Sequence, residues 1–224
     1  MEQFQSILCR ERRKTLAITI SRDGSVTIKA PLAMPISEIS KFVSEKRDWI
    51  EKKLSTINGV LTQNSDVISY KRFLFFGTRY TPYWANVSDF VFDSDGRLLV
   101  PKTLSETEVL KKLKAFYRAE AKRILTQRVK IVAMSIGKDP HLIKFSDAKS
   151  RWGSCSSTEV VTLNWRLVLV PTKLVDYVIV HELAHLLHMN HSDRFWRCVG
   201  TYVPDFGILR KDLRGYAFLL NMFR

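Results

Sequence analysis

The stretch His181-Glu-Leu-Ala-His-Leu-Leu-His-Met-Asn-His191 holds four of the five histidines of the chain. Pro171-Thr172 and the apolar run Leu174-Val-Asp-Tyr-Val-Ile-Val180 precede it and predict a helix continuing to about His188. On a helix, His181 and His185 lie one turn apart on one face, so both imidazoles can converge on a single cation. Glu182 adjoins the first of them. Its carboxylate can reach a water on that cation without filling a coordination position, which is the geometry of a general base. Apolar helix positions seldom retain two histidines and a glutamate without a ligand.

A catalytic zinc takes three protein ligands and leaves the fourth place to water. His188 shares the face, but at 1.5 Å per residue it lies roughly 10 Å from His181, too far for two nitrogens each ~2 Å from one ion. The third ligand is therefore expected beyond the helix end. His191 fits if the chain reverses at Met189-Asn190, with Asn190 in the left-handed conformation. A distant Glu or Asp is the alternative. The spacing HExxHxxxxxH equals that of the metzincin pattern, with His188 at the usual glycine position. The expected site thus has Glu182 as catalytic base and His181 and His185 as ligands of one divalent ion, zinc, per chain, with His191 the first candidate for the third ligand.

Upstream lies Lys149-Ser-Arg-Trp-Gly-Ser-Cys-Ser156. Lys149 and Arg151 are placed to bind an anionic substrate group. Cys155 has no separate Cys/His/Asn arrangement and reads as a small buried residue near the site. Trp152 reads as packing. Val160 to Val170 has strong strand propensity. Asn164 and Arg166 would then form the upper rim of a cleft, where an edge strand holds extended substrate by main-chain pairing. Asn164 is counted with Lys149 and Arg151 as a substrate contact, and Arg151, Tyr177 and Tyr216 as candidates to steady an oxyanion.

Before this region a helix is expected from Ser105 to Ser135, ended by Gly137. Between Leu110 and Lys130 it carries eight basic residues against Glu120 alone, with Lys111, Lys114, Arg118 and Lys122 as a stripe. Leu110, Leu113, Tyr117, Ile124 and Val132 supply its buried side. The first hundred residues read mainly as strands. Thr15–Ile20 and Val26–Ala30 flank the turn Arg22-Asp-Gly-Ser25, and one helix from Ile36 ends at Asn58-Gly59. Short aromatic strands follow to Pro101. The expected division is a β-rich region 1–103 with one helix and a second domain 104–224.

With 224 residues and 46% hydrophobic content, the chain is globular, and nine glycines and seven prolines exclude collagen-like and low-complexity classes. The net charge of +14 calls for a polyanionic or acidic partner. Three cysteines without a CxxC pair indicate neither a disulfide framework nor a thiolate zinc site. No signal peptide or membrane-length apolar run is seen, so a cytoplasmic location is expected.

The motifs Lys149–Ser156, Leu163-Asn-Trp-Arg-Leu167, Asp176–His185, Asn190-His-Ser192 and Phe195-Trp196 resemble those of the YgjP-like metallopeptidase family, small hydrolases related to the SprT type. A weaker match extends upstream through Phe42, Trp49-Ile50, Gly77, Tyr117-Arg118 and Ala121. The resemblance implies an α+β fold, a β-rich N-terminal part before a helical zincin-like part with a small antiparallel sheet. It also implies zinc on His181, His185 and His191, with Glu182 as base. Three functions then stand side by side. The first is a metallopeptidase acting on peptides. The second is a metal-dependent nucleoside triphosphate pyrophosphatase, which Lys149 and Arg151 would suit. The third is a nucleic-acid-binding protein with a structural metal, with helix 105–135 contacting nucleic acid. No membrane partner is expected.

Overall fold

The computed structural model describes residues 4–223. Met1–Gln3, the start of the stretch read for a signal peptide, and Arg224 lie outside the described residues. The fold is mixed α+β, and the chain divides into two compact units, Met1–Ile68 and Ser69–Arg224. By compactness the division therefore falls at 68/69, whereas the sequence suggested 103/104. The strands between 73 and 101 belong to the second unit, where Tyr117 of the long helix donates its hydroxyl to the Leu74 carbonyl at 2.8 Å and the Phe76 amide donates to the Val168 carbonyl at 2.7 Å.

In the first unit, β1 (Ser6–Glu11), β2 (Ala17–Ile20) and β3 (Val26–Pro31) form a sheet with β3 central. The hairpin β2–β3 is as expected, and β1, which the sequence had not suggested, adds in parallel. Val26, Ile28 and Ala30 alternate inward from β3 onto Ile39, Val43 and Ile50. The expected single helix is two, α1 (Ile36–Glu45) and α2 (Arg47–Gln63). Asn58-Gly59 does not end α2, because Leu54 packs on the core and the helix hydrogen bonds continue past the glycine. A single turn, α3 (Ser65–Ile68), follows.

The second unit opens with β4 (Phe73–Phe75), β5 (Thr78–Ala85), β6 (Val91–Phe92) and β7 (Arg97–Pro101) in the order β4-β5-β7-β6. The long helix α4 runs Glu106–Ile136. Ser105 and Glu108 form a capping box at its start, and left-handed Gly137 (φ 75°) ends it. Its buried seam is Val109, Leu113, Tyr117, Ala121, Leu125, Val129 and Ala133. Leu113 and Tyr117 were expected there, while Leu110, Ile124 and Val132 lie beside the seam and are only partly buried. In the stripe on its outer side, Lys114 pairs with Asp147 at 3.3 Å.

The second sheet orders β8 (Leu142–Ser146), β10 (Val160–Asn164) and β9 (Gly153–Cys155) with β10 central. The β9–β10 pair is antiparallel and β8 joins in parallel. The run 160–170 is only half strand. From Trp165 to Leu169 it coils into a buried 3-10 turn that packs on α4, an outcome an unbroken apolar run leaves open. Then come α5 (Thr172–Ala184), α6 (Asp193–Tyr202) and α7 (Phe206–Gly215), with α6 and α7 both packed on α5. Among the described residues, no helix is long and apolar enough to cross a membrane.

Candidate metal centre

Helix α5 carries His181 and Glu182 in its last turn. The chain reverses earlier than expected. The helix stops at Ala184, and the amides of Leu186, Leu187 and His188 fold back onto the carbonyls of Leu183 and Ala184. Asn190 is not in the left-handed region, so the reversal is a tight helical turn at 185–187 and not a glycine-like kink at Met189-Asn190. The chain then returns His191 to α5 just before Ser192, the N-cap of α6.

This brings His181, His185 and His191 together, with one ring nitrogen from each inside a 4.8 Å cluster. Nε2 of His181 and Nε2 of His191 face each other at 3.2 Å. His185 places Nδ1 3.1 Å from the His188 carbonyl, so Nδ1 carries the proton and Nε2 presents a lone pair. His188 thus enters through its backbone, and its ring is not part of the cluster. Burial, reinforced by the charges of His185, His191 and Arg210, pushes His181 down to about 4. Burial also lowers His185. Three imidazoles that each bring one ring nitrogen into a 4.8 Å cluster are a donor set a divalent cation takes, so these residues fit a metal ion.

The rings are held by packing. His185 stacks on Phe195 at 4.5 Å, and His191 stacks on Trp196 at 5.6 Å. His181 meets Phe195 at 5.0 Å, and its buried Nδ1 has no hydrogen-bond partner among the described residues. Phe195 and Trp196 were part of the family motif, but their contact with the imidazoles was not expected. The signal was there: both sit in the first turn of the helix that His191 introduces.

Glu182 is 6% exposed. Burial pushes its carboxyl up to about 8 against the opposing pull of Arg151. Its floor is Gly153 of β9, where a Cβ would come within 2.6 Å of the Glu182 Oε1 and 2.7 Å of its Cγ. The glycine of the Arg151-Trp-Gly153 motif is therefore required by close approach, a role not read from the sequence. A cavity of ≈ 160 Å³ opens here, lined by Trp152, Gly153, Tyr177, His181 and Glu182. Trp152, read as packing, is thus also a cavity wall.

The other expected contacts scatter. Asn164 is fully buried, and its amide nitrogen donates to the carbonyls of Ala148 (2.7 Å) and Arg151 (3.1 Å). Its oxygen accepts from the Arg166 amide, so Asn164 shapes the loop carrying Arg151 and does not face solvent. Arg166, expected at a cleft rim, is buried and donates to the Met222 carbonyl and to Asp147. The edges of this sheet are β8 and β9, and β10 lies between them. Lys149 is exposed, and Arg151 is exposed but close enough for its charge to act on Glu182. Of the oxyanion candidates, Tyr177 lines the cavity, whereas Tyr216 lines a separate hollow beside Pro171 and Leu209. Burial pushes the Cys155 thiol up to about 11, with Glu182 and Glu159 adding to it, so the thiolate needed of a nucleophile is disfavoured.

Three converging imidazoles with a buried carboxylate beside them fit the ligand set and base of a metal-dependent hydrolase. The chain belongs to the YgjP-like family, whose metallopeptidase domain profile matches residues 14–216. No curated protein matches the sequence. Among solved structures, it is similar to the metallopeptidase zymogen abylysin of Pyrococcus abyssi, with 20% identity and a TM-score of 0.37, over 40% of this chain and 90% of that one. It is also similar to the zymogen jannalysin of Methanocaldococcus jannaschii, with 22% identity and a TM-score of 0.36, over 40% of this chain and 92% of that one.

Proposed function

We propose that the protein is a zinc-dependent metallopeptidase in which His181, His185 and His191 hold the ion and Glu182 is the general base. The observation that carries this reading is the convergence of three ring nitrogens within 4.8 Å beside a carboxylate that is 6% exposed. Three imidazoles with room for a fourth ligand suit zinc above harder cations. Zinc, when bound, supplies a Lewis acid that lowers the pKa of a water toward ~7 and polarises a carbonyl.

The chain's own residues supply the rest. Glu182 takes the proton of the attacking water and delivers it to the leaving nitrogen. Gly153 holds that carboxylate in one position by contact. The Tyr177 hydroxyl, on the cavity wall, is a donor available to the carbonyl oxygen as negative charge builds on it. The free edge of β9 offers main-chain donors and acceptors to an extended peptide.

The decisive variant is Glu182→Gln. It retains the hydrogen-bonding shape but cannot accept the proton, so turnover of a peptide substrate falls by about 10²–10⁴-fold while bound zinc, counted by elemental analysis, is retained. A variant that hydrolyses as fast as the parent overturns the role of Glu182.

A further inference from the structure

Outside the imidazoles and Glu182, the charge around the site comes from arginines. On one side, Arg210 of α7 holds its guanidinium carbon 5.1 Å from the centre of the Trp196 ring. That ring stacks on His191 and lies 5.8 Å from His181. The positive charge of Arg210 is felt at both His181 and Tyr177, and that of Arg214, one turn further along α7, at Tyr177. From the β9 side, the charge of Arg151 is felt at Glu182.

None of these three side chains has a carboxylate partner among the described residues, and all three are exposed. Some guanidinium groups elsewhere are paired, Arg97 with Asp93, Arg123 with Glu120, Arg128 with Asp176 and Arg166 with Asp147, while others, such as Arg194 and Arg197 of α6, have no carboxylate partner among the described residues. An arginine laid on an indole is oriented and partly dehydrated while its fork stays free for a second, bidentate partner. Positive charge from Arg210 and Arg151 thus acts on His181, Tyr177 and Glu182.

We propose that Arg210, seconded by Arg214 and Arg151, is a specificity-determining residue that selects peptides carrying a carboxylate next to the scissile bond, from an acidic side chain or from a free C terminus. This inference rests on the metallopeptidase reading of the site. A planar fork and a carboxylate match in geometry, which a lysine in the same place would not reproduce.

The test uses the zinc-loaded full chain and quenched-fluorescence peptide pools that differ only in Asp/Glu against Asn/Gln flanking the cleavage point. Each pool is made with a free and with an amidated C terminus. The acidic or free-carboxylate pools are expected to exceed their neutral counterparts about tenfold in kcat/KM, with roughly threefold from each of two exposed guanidinium–carboxylate pairs. Which of the two arms shows the preference identifies the source of the carboxylate. Arg210→Glu and the milder Arg210→Gln reduce that ratio through KM, whereas Lys53→Glu, a charge reversal on exposed α2, leaves it unchanged. Equal kcat/KM for charged and neutral pools, or a ratio untouched by both Arg210 variants, overturns the inference and leaves the metallopeptidase intact. No cleavage of any pool overturns the metallopeptidase reading, and this inference with it.

Discussion

The tightest constraint in the site is one missing methyl group. Gly153 has no positive φ to explain it, and its role is to let the Glu182 side chain lie where a Cβ would stand. Gly153→Ala therefore pushes Glu182 aside without touching a metal ligand. The expected result is a loss in kcat of about 10²-fold, the cost of misplacing a reacting group by roughly 1 Å, with zinc content unchanged. Unchanged kcat would mean that β9 yields instead. At this scale the sequence was legible where chemistry requires a residue type. Spacing alone picked out His181, His185 and His191, whose ring nitrogens the fold gathers within 4.8 Å. Asn164 and Arg166 misled because a polar residue after a strand reads as exposed, whereas here both are buried and hydrogen-bonded inside. The contact of Gly153 with Glu182 joins residues 29 positions apart, which no local pattern encodes.

Elements whose signals are local came through: the β2–β3 hairpin, and α4 with its capping box and terminal glycine. Those decided by tertiary packing did not. The segment 160–170 splits into strand and 3-10 turn because α4 covers it. Asn58-Gly59, a stop signal in isolation, lies inside α2, where the glycine is exposed and a Cβ built on it meets nothing within 4 Å. Gly59→Ala is accordingly expected to stabilise the protein by about 0.5–1 kcal/mol, read as a raised denaturation midpoint with unchanged slope. A lowered midpoint would show that the position resists a side chain. The same logic explains α5. Its apolar face extended the expected helix to His188, but the amides of Leu186 and Leu187 turn back one residue sooner than an α-helix needs.

In the second unit, α4, the β8–β9 loop and the chain's last turns are joined through one carboxylate. Asp147 takes Lys114, the Trp165 indole N–H and Arg166, while Arg166 also donates to the Met222 carbonyl at 2.7 Å. Partial burial works to raise the Asp147 carboxyl, but Arg166, Trp165 and Lys114 outweigh it and hold it below its ordinary 3.8. With a depressed folded value, its contribution is complete above the unfolded value and is lost as pH falls through the folded one. Asp147→Asn is expected to lower stability by about 2 kcal/mol at neutral pH, since it strands the buried Arg166, moderated because the Asp147 side chain is 37% exposed. It should also flatten the decline in stability below pH 4. Denaturant midpoints of parent and variant across that range check both effects, and parallel acid limbs would assign the decline to other groups.

The early reversal after α5 has a consequence for stability. His181 lies on α5 and His191 at the threshold of α6, so an ion held by both would close a ring of eleven residues. Opening of the turn 185–192 would then require a ligand to leave the ion, which couples the stability of the turn to ion binding. A chelator should lower the melting temperature and accelerate amide exchange in this turn ahead of the α4 seam, because an ion held at 1,000 times its Kd adds about 4 kcal/mol to the folded state. Uniform exchange across the unit would show the turn to be rigid without it. On this reading, the same ring of chain that gathers the imidazoles would also link loss of the ion to loss of the local fold.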